Sequence, residues 1–334
     1  MNRIVRKHTL SLLIVLLGGG CAYVDTKQGE WIFRPTDATW RSARELPSSF
    51  VEKTIPVLNA TAAAGSEPVD YISAWWAPVP GAAAGTPAPV LLYLHGARWN
   101  LTGSITRIPR WNQMGFSVLA IDYRGFGKSA PRIPTEQSAN EDAEGAWRYL
   151  QTLAPGAKKY IFGHSLGAAM ATHLALKYPD ADGLILEAAF TNIPEMVKAS
   201  QYGFLPVSVL ITQRFDNLAR IDEVKVPMLI AHGTDDAIVP FQMGQRLFAA
   251  ATSRKRFFQA DGGSHHNLAL RYFDDYARAV TEHFSLPATF TASRHGTPAT
   301  TQTTTQTTTQ ATTQATTRTT TQTTTQAPAQ SSTQ

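Results

Sequence analysis

Apolar and polar residues alternate in blocks along most of the chain, and the blocks predict strands and helices in turn. Six apolar runs have the length and composition of strands: 69–78, 90–94, 116–121, 183–187, 227–231 and 256–259. The continuous runs are typical of strands buried on both faces of a sheet. Helical patterns cover 136–153 and 267–284, and 31–33 is predicted as an edge strand stopped by Pro35. This order predicts an α/β fold with a doubly wound, mostly parallel sheet.

The first 20 residues have the pattern of a secretory signal peptide. Three basic residues precede a short apolar run at 12–17, and three glycines follow that run. The run is too short to cross about 30 Å of hydrocarbon as a helix. We therefore expect residues 1–20 to be a cleaved signal, residues 21–28 to be a linker, and the folded domain to span 29–288.

Cys21 is the only cysteine of the chain, so no intramolecular disulfide can form. Its place directly after small residues resembles the lipobox of bacterial lipoproteins, in which the cysteine becomes the lipidated first residue. Gly18 stands where that family has leucine, with Leu17 one position earlier, so an ordinary cleaved signal is the alternative. By the same resemblance, Ala22 after the cysteine implies a lipid anchor in the bacterial outer membrane.

The C-terminal part of the chain has the composition of a solvated tail. Residues 297–334 are almost entirely Thr, Gln, Ala, Ser and Pro, in TTTQ-like units. Such a segment buries too little apolar surface to offset its ordering entropy, so we expect 289–334 to be disordered.

The net charge of the chain gives no support to nucleic-acid binding. The formal charge is +5, but three positive charges lie in the predicted signal, which leaves 27 basic against 25 acidic residues, or +2. The basic residues are scattered and form no long run, so no nucleic-acid partner is expected.

Gly163-His164-Ser165-Leu166-Gly167 joins a predicted strand to a predicted helix. The residues before it end in β-prone side chains, and those after it are mostly helix formers. The two glycines permit a sharp turn that leaves the serine side chain at its tip. In this context the G-x-S-x-G pattern predicts a nucleophile elbow with Ser165 as the nucleophile, and an ordinary strand-to-helix turn is the alternative.

A serine nucleophile needs a base, and the base needs an orienting acid. Residues 232–240, HGTDDAIVP, resemble the HGxxDxxVP segment of α/β hydrolases. This resemblance implies Asp236 as the acid, with Asp235 as the competitor. Residues 262–268, GGSHHNL, resemble the GxGHN segment that carries the base, which implies His266. Because His265 occupies the glycine position of that segment, His265 stays open as the base.

Two upstream segments are similar to the same superfamily. His95-Gly96-Ala97-Arg98 resembles the HG segment that positions an oxyanion-hole donor. The resemblance implies that the backbone N–H groups of Ala97 and Leu166 would hold the developing negative charge. Residues 122–129, DYRGFGKS, resemble the D-x-R-G-x-G-x-S turn, in which we expect Arg124 to hold neighbouring loops.

Residues 90–270 thus resemble the α/β-hydrolase superfamily, nearest its esterase and serine-aminopeptidase-like branch. The resemblance implies a serine hydrolase that cleaves a carboxylic ester of a small-molecule or acyl substrate through an acyl-enzyme, with no cofactor. A peptidase or thioesterase with the same triad, or a noncatalytic envelope lipoprotein, are the alternatives. The sequence contains no metal-ligand cluster and no dinucleotide fingerprint. Residues 191–221 are predicted either as a small cap over the site or as surface helices.

Overall fold

The computed structural model describes residues 24–39, 46–58, 69–79, 87–201, 203–204, 210–286 and 301–304. The predicted signal, Cys21 and most of the predicted tail lie outside these residues. In the described part of the chain, no helix combines the length and the hydrophobicity needed to span a membrane.

A single sheet of nine strands forms the centre of the described structure, in the spatial order β1-β2-β4-β3-β5-β6-β7-β8-β9. Its strands are β1 (Val51–Leu58), β2 (Val69–Ala77), β3 (Val90–Leu94), β4 (Ser117–Ile121), β5 (Lys159–His164), β6 (Gly183–Glu187), β7 (Met228–Gly233), β8 (Lys255–Ala260) and β9 (Thr301–Thr304). The strands from β4 to β8 in this order are parallel, and β1, β2 and β9 pair antiparallel at the two edges.

Helices cover both faces of the sheet. They are α1 (24–33), α2 (Ile108–Gln113), α3 (Glu136–Leu153), α4 (Gly167–Lys177), α5 (Ile193–Ala199), α6 (Phe241–Ala250), α7 (Leu268–Arg271) and α8 (Phe273–Phe284). One buried cluster lies under α1, α3, α4, α5 and α6, and a second lies under α2, α7 and α8. Every residue of β3, β4, β6 and β7 is buried, which accounts for their continuous apolar sequences. The predicted fold class is therefore confirmed.

The N-terminal segment differs from the prediction, because 31–33 is the last turn of a helix and not an edge strand. Helical spacing turns Gly29, Ile32 and Phe33 toward the core, where the Phe33 ring packs against Phe126 and Phe215. A Cβ at Gly29 would overlap the carbonyl oxygen of Pro134, so α1 approaches that loop closely. The helix also begins at residue 24, inside the predicted linker 21–28.

Three other elements depart from the sequence pattern. The predicted closing helix is broken at Tyr272 into α7 and α8, and Leu270, expected on its apolar face, is 46% exposed. The strand β1 was not predicted, since only Ile55 and Val57 of its eight residues are buried. The strand β9 lies in the tail expected to be disordered. Its backbone pairs antiparallel with β8 at the edge of the sheet.

Candidate active site

The turn between β5 and α4 holds Ser165 in a conformation that few non-glycine residues adopt. Ser165 has φ 54°, its N–H donates to the carbonyl oxygen of Glu187 at 2.9 Å, and its side chain is partly exposed. A Cβ at Gly163 would overlap the carbonyl oxygen of Gly167, and a Cβ at Gly167 would overlap that of Leu94. Such strain is typical of functional sites, and the geometry has the sharp strand-to-helix turn predicted for an elbow.

Asp236 and His265 form a hydrogen-bonded pair at the carboxyl ends of β7 and β8. The Nδ1–H of His265 donates to Oδ2 of Asp236 at 2.7 Å. The other carboxylate oxygen of Asp236 accepts the N–H groups of Ile238 and Val239 at 2.9 and 2.8 Å. The competing carboxylate, Asp235, is exposed to solvent. Of the two candidate acids, the structure therefore places Asp236 against an imidazole.

Of the two adjacent histidines, His265 and not His266 is the one hydrogen-bonded to Asp236, whereas the His-Asn alignment had pointed to His266. His266 stacks on Trp99 with ring centroids 4.5 Å apart, and its Nδ1 is buried without a hydrogen-bond partner among the described residues. The histidines lie in a tight turn, in which the N–H of Ser264 donates to Oδ1 of Asn267 at 2.8 Å. The rings of His265 and His266 therefore have different neighbours.

The charges of this pair and its neighbours follow from burial and hydrogen bonding. Burial raises the pKa of Asp236, but hydrogen bonds from His232 and His265 outweigh it and hold that pKa well below its usual value. Burial, together with electrostatic interaction with His265 and Arg107, lowers the pKa of His266 to about 4. Asp236 is therefore an anion and His266 a neutral ring at neutral pH.

His164 connects the serine turn to the histidine loop, a role that the sequence pattern did not reveal. Its Nε2–H donates to the carbonyl oxygen of His265 at 2.9 Å, and its ring centroid lies 4.9 Å from that of His265. Burial lowers its pKa well below the usual value, as does the charge of Arg107. Arg107 in turn forms a buried ion pair with Glu187, whose carbonyl oxygen holds the N–H of Ser165. The only sequence signal was a histidine next to the nucleophile.

The loop after β3 lies against the serine. A Cβ at Gly96 would sit 3.1 Å from the Cβ of Ser165, so the two backbones are close. The N–H groups of Ala97 and Leu166 have no acceptor in the described part of the chain. Two free backbone donors beside a serine are the arrangement that an oxyanion hole requires.

The chain from 24 to 38, here called the strap, fixes the outer side of that loop. Arg98, with φ 72°, donates its N–H to the carbonyl oxygen of Phe33 at 2.8 Å. The side-chain amide of Asn100 donates to the carbonyl oxygens of Thr36 and Ala38 at 3.2 and 2.9 Å. The backbone next to Ala97 is thus held by a segment that the sequence analysis placed partly in a linker.

Arg124 anchors the turn after β4 to the neighbouring helix α3. Its guanidinium donates to Asp142 at 2.6 Å, to Glu141 at 2.7 Å and to the carbonyl oxygen of Ser138 at 2.9 Å. These contacts join the turn after β4 to the first part of α3, so Arg124 is structural as expected but holds its turn against a helix and not against a second loop.

The site also contains a cluster of three imidazoles. One nitrogen from each of His164, His265 and His266 lies within 4.8 Å of the others, a spacing at which a transition metal could be held. However, Nδ1 of His265 and Nε2 of His164 are already bonded to Asp236 and to a carbonyl oxygen. A metal that used these nitrogens would have to displace both bonds, so the hydrogen-bonded arrangement is the one that the geometry favours.

Comparison with known proteins agrees with this geometry. The family described as serine aminopeptidase, S33 (Hydrolase_4) matches residues 85–219, which include the loop after β3 and the serine turn. A protein of Mycobacterium tuberculosis described as uncharacterized is 39% identical over 159 residues, covering 47% of this chain and 56% of its own length. Lysophosphatidylserine lipase ABHD12 of Danio rerio is 33% identical over 186 residues, covering 50% of this chain and 48% of its own. The chain thus spans about half the length of these relatives.

Solved structures share the fold. The esterase Pf2001 of Pyrococcus furiosus superposes with a TM-score of 0.57 at 18% identity, over 75% of this chain and 98% of that one. Sheet order, the strained serine turn, the family match over residues 85–219 and the superposition on this esterase together show that the chain has the α/β-hydrolase fold.

Proposed function

We propose that the protein is a serine hydrolase that cleaves carboxylic esters, with Ser165 as nucleophile, His265 as base and Asp236 as the orienting acid. The observation that carries the proposal is the 2.7 Å hydrogen bond between His265 and Asp236, in a loop tied through His164 to the serine turn. Nucleophile, acid and base follow one another in the chain as Ser165, Asp236 and His265, which is the order of this superfamily.

The proposed reaction uses two attacks on the acyl carbon. Nε2 of His265 takes the proton of Ser165 as its Oγ attacks the ester carbonyl, and Asp236 stabilises the imidazolium through Nδ1–H. The N–H groups of Ala97 and Leu166 hold the oxyanion, each worth about 2.7–4 kcal/mol of transition-state stabilisation. His265 then gives its proton to the leaving alcohol, and a water repeats the attack to release the acid and restore Ser165.

For the substrate, we propose the acyl ester of a monoacyl glycerophospholipid. The support is that the relative in Danio rerio is named as a lysophosphatidylserine lipase, together with the predicted lipid anchor at Cys21. A lipid-anchored enzyme in the cell envelope, on the bacterial outer membrane, would meet such lipids at the surface that holds it. The family match over residues 85–219 includes the serine turn, so the family resemblance concerns the acyl-transfer step.

The test is covalent labelling with a fluorophosphonate, followed by hydrolysis of an acyl-ester series. We expect wild type and His266→Ala to be labelled, and Ser165→Ala and His265→Ala to be labelled slowly or not at all. Equal labelling of wild type and Ser165→Ala would disprove the nucleophile. The ester series should include lysophospholipids of several chain lengths and soluble short-chain esters.

An amide substrate is the second candidate, because the matched family is described as serine aminopeptidase. Aminoacyl amides and thioesters in the same panel separate these activities. A folded protein that is labelled by no fluorophosphonate and hydrolyses none of the three classes would point to a noncatalytic binding role.

A further inference from the structure

The outer face of α1 carries large apolar side chains that the protein leaves in water. Val24 is 43% exposed and Trp31 is 46% exposed. They are seven positions apart, so they lie on the same face of the helix. Leu210, 66% exposed, lies beside this face, because its carbonyl oxygen accepts a hydrogen bond from the Gln28 side chain at 3.0 Å. We call Val24, Trp31 and Leu210 the docking stripe.

Two exposed basic residues border the docking stripe on one side. Lys27, which pairs with Glu30 at 2.6 Å, lies three positions after Val24 and four before Trp31. Arg34 is exposed directly after the helix. An exposed Trp beside aliphatic side chains, with basic residues at the margin, is the composition of helices that lie in the interface of a lipid bilayer.

We propose that the docking stripe binds the surface of a phospholipid bilayer. This inference rests on the envelope anchoring proposed above. Cys21 precedes Val24 by three residues, so a lipid on Cys21 would keep the start of α1 within about 11 Å of the membrane. At that distance the helix meets the bilayer without further cost in chain entropy, and the basic margin adds attraction to anionic headgroups.

The strap connects the docking stripe to the active site. The inner face of α1 is fixed by the close approach of Gly29 to Pro134, and its last carbonyl group accepts the N–H of Arg98 at 2.8 Å. The docking stripe and the loop that carries Ala97 are therefore parts of one connected unit. A bilayer bound to the docking stripe would lie at a fixed distance from the nucleophile, and an acyl substrate could reach the site from the membrane.

A fluorophore placed on the docking stripe tests this inference. Trp31→Cys is made in the full chain together with Cys21→Ser, so that no lipid is attached, and with Ser165→Ala, so that no lipid is hydrolysed. The single thiol is labelled with an environment-sensitive dye. The matched control carries Arg278→Cys instead, because Arg278 is 51% exposed on α8, on the opposite face of the sheet. Vesicles of phosphatidylcholine and phosphatidylglycerol are then added, with and without nitroxide-labelled acyl chains.

We expect the emission of the dye at position 31 to move to the blue and to be quenched by the nitroxide lipids, while the dye at 278 stays unchanged. No response at 31, or equal responses at both positions, would overturn the inference. A response at 31 that depends on protein concentration without vesicles would assign the docking stripe to a second copy of the chain, which also overturns it.

Unlabelled variants give a second measurement that does not depend on the dye. In the same Cys21→Ser, Ser165→Ala chain, Trp31→Ser with Leu210→Ser should reduce vesicle co-sedimentation at least tenfold, and Arg278→Ser should leave it unchanged. Equal binding by both chains would contradict the inference. Because these chains are catalytically inactive by design, the result is independent of the hydrolase proposal, whose own test is the fluorophosphonate.

Discussion

The serine turn and the histidine loop are built on different principles. At the serine turn, contacts within a few residues decide the structure: Gly163 and Gly167 leave no room for a Cβ, and Ser165 alone has φ 54° between them. In the histidine loop, two adjacent imidazoles are chemically equivalent in the sequence. A carboxylate 29 positions earlier selects one of them. Local backbone geometry can be predicted from the sequence. Which of two adjacent histidines contacts a distant carboxylate cannot be predicted in that way.

The largest expected effect is a loss of kcat that occurs on replacing His265 but not on replacing His266. Replacing either member of a serine–histidine pair in another serine hydrolase lowers kcat on the order of 10⁶-fold, and we expect Ser165→Ala and His265→Ala to approach that loss. His266→Ala should lose less than about tenfold, because its ring packs on Trp99 and not on the acid. Rates on a soluble acyl ester measure both. If His266→Ala were the inactive variant, the proposed assignment of His265 as the base would be wrong.

The second-largest loss of activity should follow from replacing Asp236, the carboxylate that is hydrogen-bonded to His265. Asp236→Asn should lower kcat on the order of 10⁴-fold, since the amide favours the wrong tautomer of His265. The neighbouring Asp235→Asn is the matched control, because Asp235 is exposed, and its activity should stay within about threefold of wild type. Circular dichroism of both variants checks that they are folded. A large loss in Asp235→Asn alone would mean that the loop rearranges to present the other carboxylate.

The serine turn should respond to a change of shape rather than of charge. Gly167→Ala places a methyl group against the carbonyl oxygen of Leu94, an overpacking that typically costs about 1–3 kcal/mol of the free energy of unfolding. Gly156→Ala is the control: Gly156 has φ 75° but no atom within 4 Å of the added Cβ, so only the backbone strain of about 1–2 kcal/mol applies. Urea denaturation measures both. We further expect Gly167→Ala to lose activity and Gly156→Ala to keep it.

The same contrast explains what the sequence could predict. The parallel strands were predictable because burial on both faces makes them uniformly apolar, and the serine turn because it needs glycine at two fixed positions. The helix α1 was mistaken for an edge strand because its inward residues Ile32 and Phe33 are adjacent and Gly29 carries no side chain, so the helical period is hidden. The backbone hydrogen bond between Arg98 and Phe33 joins positions far apart in the chain, so no local sequence pattern predicts it.

The smallest expected effect is on the pH dependence of the free energy of unfolding, through His266. The pKa of His266 is lowered to about 4, mainly by burial, against about 6.5 in an unfolded chain. Between these two values only the unfolded state takes up the proton, so the free energy of unfolding falls as pH decreases from about 6.5 to 4. His266→Gln removes that proton uptake. The free energy of unfolding should then depend less steeply on pH, with the difference in proton uptake between the unfolded and folded states reduced by up to one proton.

Urea midpoints of wild type and His266→Gln at pH 7 and pH 5 measure the difference. We expect the loss of stability between these two pH values to be smaller in His266→Gln, while its activity at pH 7 stays close to that of wild type. An unchanged decline would show that His266 is protonated in the folded protein. In that case the ring would carry a positive charge beside His265, and the separation between a base paired with Asp236 and a neutral neighbour stacked on Trp99 would no longer hold.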